Sequence, residues 1–140
     1  MTPFSVVLRT LRARFELGQG QFAERLGYRQ AYISALECGT KLPKDQSLVP
    51  KIARLLNLAP DEEANLQHAF AISRRFDFPP AGAPVDSYAL CAQLFEMLPI
   101  LSHGDIRFIR GVLDGVRQGK AHNSASKLNR GPATAQEMPM

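Results

Sequence analysis

The stretch from Gln19 to Leu36 constrains this chain more than any other. Phe22, Ala23 and Leu26 fall on one face of a short helix from about Gln19 to Leu26, and Gly27 fits a left-handed C-cap. A second short helix, from about Gln30 to Glu37, buries Ile33 and Leu36, and Gly39 stops it. The small Ala23 lets two helices cross closely, and Gly27 makes the sharp turn between them. Ile33 and Leu36 pin the second helix to a core while its other face stays free.

The flanking segments also read as helices, and no strand pattern is present. Thr2-Pro3 starts the first, a hydroxyl N-cap followed by a proline whose missing N–H costs nothing there. Phe4, Val7, Leu8, Leu11 and Phe15 then recur at helical spacing until Leu17-Gly18 breaks the pattern. Thr40 to Gln46 is a polar loop around Pro43. Ser47 is expected to cap a fourth helix, with Pro50 in its first turn and Ile52, Ala53, Leu55 and Leu56 inside. Pro60 opens a fifth, reaching about Arg75, with Asp61, Glu62 and Glu63 opposing the positive end of its dipole. Phe76 to Val85, with Pro79, Pro80, Gly82 and Pro84, reads as a semi-rigid linker.

A sixth helix begins at Asp86 or Ser87, carries Tyr88, Cys91, Leu94, Phe95 and Leu98 on one face, and ends at Pro99. Ser102-His103-Gly104-Asp105 is a capping-box variant. The seventh helix places Ile106, Ile109, Leu113 and Val116 at three- and four-residue steps, with Phe108 and Val112 as a second apolar stripe. From Gln118 the apolar content collapses, and residues 118–140 read as a disordered tail. The organisation expected is therefore a domain over 1–75, a linker over 76–85, a helical hairpin over 86–117 and the tail.

Composition narrows the function. No apolar run approaches the roughly 18 residues of a membrane-spanning helix, and the first residues lack the basic and apolar regions of a secretory signal. Two cysteines, Cys38 and Cys91, build neither a disulfide framework nor a four-ligand zinc site. His68, His103 and His122 have no carboxylate or cysteine at ligand spacing. No phosphate loop, nucleophile elbow or metal motif appears. The expectation is a cytoplasmic protein that is not an enzyme, with no metal, no cofactor, no membrane association and no small-molecule ligand in evidence.

Charge is unevenly spread. Residues 1–58 carry a net +5 and residues 59–98 a net −4, which suggests an anionic partner for the first segment. The free face of the helix at 30–37, flanked by Arg29, is Gln30, Ala31, Tyr32, Ser34 and Ala35, with no acid. Such a face suits a DNA major groove, since carboxylates repel phosphates and glutamine pairs bidentately with adenine. The spacing of Gln19, Ala23, Leu26, Gly27, Ile33 and Leu36 is that of a helix-turn-helix.

Residues 4–58 resemble the phage-repressor-like family of DNA-binding regulators, the Xre or Cro/C1 type. The resemblance is carried by Leu11-Arg12, Gln19-x-x-Phe22-Ala23-x-x-Leu26-Gly27, Ile33-Ser34-x-x-Glu37-x-Gly39, Pro43, and Val49-Pro50-Lys51-Ile52-Ala53 followed by Leu56. Gly18 stands where the family usually has a Ser or Thr cap, and the loop between Gly39 and Pro50 is a few residues longer. The fold implied is all-α: a five-helix phage-repressor-like DNA-binding bundle followed by a C-terminal helical hairpin.

The resemblance also implies roles. Gln19 would bond a phosphate from the start of the second helix, or serve helix geometry alone. Gln30, Ala31, Tyr32 and Ser34 occupy base-facing positions, with packing against the core as the alternative for Tyr32. Arg29, Lys41 and Lys44 would lie near phosphates, positioning the protein without reading sequence; the two lysines also read as solvated loop residues. Arg12 and Glu37 correspond to an internal ion pair, or are two separate surface charges. The function implied is a sequence-specific transcriptional regulator, a repressor acting as a homodimer on double-stranded DNA with a palindromic operator. Ile106, Ile109, Leu113 and Val116 would form the dimer contact, the alternative being a hairpin folded back on the bundle. A reading from another class is a protein-interaction adapter, such as an antitoxin whose hairpin binds another protein.

Overall fold

The computed structural model describes residues 1–129, and these are helical, with no strand among them. The chain divides into two units, Met1–Asp77 and a second beginning at Phe78.

The first unit contains α1 (Pro3–Arg14), α2 (Gln19–Leu26), α3 (Gln30–Cys38), α4 (Leu48–Leu56) and α5 (Pro60–Ile72). Its core is one cluster to which every helix contributes: Phe4 and Leu8 from α1, Phe22 from α2, Ile33 and Leu36 from α3, Leu48 and Ile52 from α4, Leu66 and Phe70 from α5. Phe4 and Phe70 meet edge to face, with ring centroids 5.7 Å apart. Phe15, expected on the apolar face of α1, instead caps its C-terminus and stays exposed under the Arg14 guanidinium.

The helix ends follow from the residues at them. The Thr2 hydroxyl accepts from the Ser5 N–H at 3.1 Å, and the Ser5 hydroxyl accepts from the Thr2 N–H at 2.8 Å. Gly27 ends α2 at φ 81° and Gly39 ends α3 at φ 75°, left-handed values that exclude most side chains. Ser47 stands at the N-cap of α4 but does not cap it. Its hydroxyl donates instead to Asp45 at 2.6 Å, because its backbone is already helical (φ −76°, ψ −10°) and not extended as an N-cap requires. Helix α5 ends at Ile72, short of the expected Arg75, where buried Ser73 takes over: its hydroxyl donates to the Ala69 carbonyl at 2.7 Å and accepts from the Phe4 N–H at 2.9 Å.

The second unit holds α6 (Asp86–Met97), a 3-10 turn at Leu98–Ile100 and α7 (His103–Asn129). The Ser102–Asp105 capping box is formed in both directions, at 2.9 and 3.1 Å. Helix α7 runs through Gln118 to Asn129, where a disordered tail was expected. No proline follows Pro99 until Pro132 to interrupt it. The remainder of that tail, 130–140, lies outside the described residues. No helix of the described residues is long and apolar enough to cross a membrane.

Candidate nucleic-acid interface

The free surface of α3 begins with Arg29, Gln30 and Ala31, all exposed at its N-terminal end. Tyr32, Ser34 and Ala35 are half-buried, and Ile33 and Leu36 are fully buried. The N-terminal end of α3 is therefore exposed, while Ile33, Leu36 and Glu37 hold the helix in the bundle. Neither α2 nor α3 has a side-chain cap bond or an acid in its first turn. Their N-terminal amides thus stay available to an anion, with the helix dipoles favouring it. The Gln30 Oε1 lies 3.4 Å from where a Cβ on Gly20 would stand, so Gln30 runs alongside the start of α2. A candidate base reader and a candidate phosphate-binding helix end are thereby brought together.

The orientation of α3 is fixed by a polar cluster. Arg12 Nε donates to Glu37 Oε1 at 2.6 Å, and Arg12 Nη2 to Glu37 Oε2 at 3.1 Å. Arg12 Nη1 also donates to the Leu17 carbonyl at 2.8 Å. Glu37 is only 2% exposed, so the two form an internal ion pair and not separate surface charges. Hydrogen bonding to Glu37 raises the affinity of the Arg12 guanidinium for its proton. Gln19 joins them: its Nε2 donates to Glu37 Oε2 at 2.7 Å. The Gln19 side chain thus bonds to Glu37 and is half-buried at the start of α2. A buried carboxylate with an open lone pair is a stronger acceptor than solvent. This third arm was not anticipated from sequence.

Tyr32 is half-buried. It packs partly against the core, with its ring 5.1 Å from that of Tyr28, and Lys41 Nζ lies 5.9 Å from its ring centroid. Burial, and then the nearby Tyr28 and Asp45, raise its phenol pKa, so it remains a hydrogen-bond donor. The 40–46 loop is pinned by Asp45, which accepts from Tyr28 Oη at 2.6 Å and from the Ser47 N–H at 2.9 Å. The bonds from Ser47 and Tyr28 lower the Asp45 pKa to about 2. Lys51 Nζ sits 5.0 Å from the Tyr28 ring centroid. Lys41 and Lys44 project from this loop and are exposed. Among the described residues no group of His, Cys, Asp and Glu could hold a metal ion.

Residues 3–66, a little under half of the chain, match the family model of a helix-turn-helix domain. No curated protein and no solved structure matches the chain. The matched range spans α1 to α4 and the first half of α5, so it takes in α2, the Gly27 turn and α3.

Proposed function

We propose that this chain, which carries a helix-turn-helix domain over residues 3–66, is a sequence-specific DNA-binding transcriptional regulator that acts as a repressor. The observation that carries the reading is the exposed, acid-free N-terminal end of α3, with Arg29, Gln30 and Ala31 beside the uncapped start of α2. In this arrangement Gln30 and Ala31 meet base edges, and Ser34 borders them. The α2 amides, Arg29, Lys41 and Lys44 meet phosphates, and Tyr32 buttresses the loop. Selection of bound sites from a random duplex library tests it: enrichment of a defined sequence is expected, and recovery of unenriched DNA would overturn it.

Two substitutions sort the contacts. Gln30→Ala is expected to relax preference at one base position and to cost about 1–3 kcal/mol there. An unchanged preference in the same selection removes Gln30 from the readers. Arg29→Ala or Lys41→Ala is expected to weaken binding evenly on all sequences and to make the salt slope shallower by about one. Loss of selectivity at a single position, with the slope intact, would make that residue a reader instead.

The regulator is proposed to bind a palindromic operator as a homodimer through the second unit. That unit leaves Phe95, Ile100, Phe108, Val112, Leu113 and Val116 at least half exposed, and Cys91 alone of its described residues is buried. Ile106 and Ile109 are the least exposed of the α7 apolar side chains. Apolar surface of this kind favours association.

A further inference from the structure

An open groove of about 1210 Å³ runs between the 40–46 loop and the C-terminal end of α5. Four cations line it: Lys41 and Lys44 from the loop, Arg74 and Arg75 from just beyond α5, with Tyr32 and Gln67 between. The ion pairs among the described residues are Arg12–Glu37 and Arg14–Glu62, so none of the four is neutralised by a carboxylate. The single acid in the lining, Asp45, already accepts hydrogen bonds from Tyr28 and Ser47. Arg74 lies 4.7 Å from the Phe76 ring centroid and Lys41 lies over Tyr32, so two of the cations rest on aromatic faces. The position of the arginines is set by Ser73, which ties the end of α5 to the start of α1 through Phe4.

Pockets for small molecules enclose their ligand and are mostly apolar. This groove is open, and cations come to it from both the loop and the end of α5. A polyanion laid through it meets both pairs. We propose that the groove takes the sugar-phosphate backbone of the bound DNA, with Arg74 and Arg75 as phosphate contacts beyond those of α3 and the loop; the proposal rests on the DNA-binding reading above. A competing explanation for the two arginines is that they complement the negative end of the α5 dipole. That role acts on stability and leaves DNA binding untouched.

The test is titration of the full chain with a mixed-sequence duplex of about 30 base pairs over a range of salt. The Arg74→Ala/Arg75→Ala variant is expected to bind about tenfold more weakly near 0.1 M salt, with a slope shallower by about two and an unchanged thermal midpoint. Arg74→Lys/Arg75→Lys is expected to restore the salt slope, because each lysine still neutralises a phosphate. An unchanged slope in the alanine variant overturns the proposal, as does a slope that lysine fails to restore. If the wild type binds no duplex at all, the DNA-binding reading fails with it. If the wild type binds and only the groove variant is silent, the groove alone is misassigned. Stabilisation of the wild type, but not of the alanine variant, by inorganic phosphate, with duplex binding indifferent to the substitutions, would assign the groove to a free anion.

Discussion

Glu37→Ala is expected to cost the N-terminal unit about 3–5 kcal/mol, a large share of the roughly 5–15 kcal/mol that holds a small domain together. The size follows from what stays behind. Glu37 is 2% exposed and accepts from Arg12 twice and from Gln19 once. Its removal leaves the Arg12 guanidinium, 22% exposed, facing a void lined by the same helices, and leaves the Gln19 amide without its acceptor. An unpaired charge in that setting costs far more than the intact pair contributed. Three helices lose their common anchor, since Arg12 lies on α1, Gln19 on α2 and Glu37 on α3.

Urea denaturation of the wild type, Glu37→Ala and Glu37→Gln measures the effect. Glu37→Gln is expected to lose less, because an amide oxygen still accepts from Arg12 while the charge balance is broken. The Arg12→Met/Glu37→Met double variant is expected to recover part of the loss, as buried pairs replaced by apolar side chains of similar volume commonly do. A Glu37→Ala protein within about 1 kcal/mol of the wild type would place the pair among weak surface contacts. By contrast, the exposed Arg14–Glu62 pair, which also joins two helices, is expected to be worth little.

The parts of this molecule legible in its sequence are those that a single residue decides locally. Gly27 and Gly39 mark left-handed helix ends because few other residues adopt φ near 80°. Thr2-Pro3 and Ser102-x-x-Asp105 mark helix starts because a short side chain reaches a backbone amide three residues on. Where a side chain has several suitable partners, the sequence leaves the choice open. A glutamine at the start of α2 donates equally well to a phosphate or to a carboxylate, and only the approach of α3 puts Glu37 within 2.7 Å. Tyr32 follows Gln30 by two residues, which puts it on a different face of α3, beside Tyr28 and Lys41. The groove is equally hidden, because Arg74 and Arg75 lie some thirty residues from Lys41 and Lys44 and line one groove with them only once α5 packs into the bundle. The polar end of α7 has no apolar periodicity, so its sequence names no buried face and gives no sign that the helix runs on to Asn129.

Leu113→Glu is expected to convert the proposed dimer to a monomer while leaving the N-terminal unit folded. Leu113 is 57% exposed in the single chain, so a carboxylate there meets water and costs the isolated protein little. In a dimer built on Ile106, Ile109, Leu113 and Val116 the same carboxylate is buried against apolar side chains, at a cost of several kcal/mol. Sedimentation of the two proteins at micromolar concentration reads the assembly directly. The functional consequence is larger than the structural one. A dimer carries two copies of α3 spaced about 34 Å apart to meet successive major grooves. Once one is seated, the second binds at an effective concentration far above that of free protein. Affinity for a two-half-site operator is therefore expected to fall by about 100-fold or more in Leu113→Glu, whereas affinity for one half-site stays unchanged. A wild type that sediments as a monomer, or a variant that stays dimeric, shows that the α7 stripe serves another purpose, and a monomeric wild type removes the palindromic operator with it.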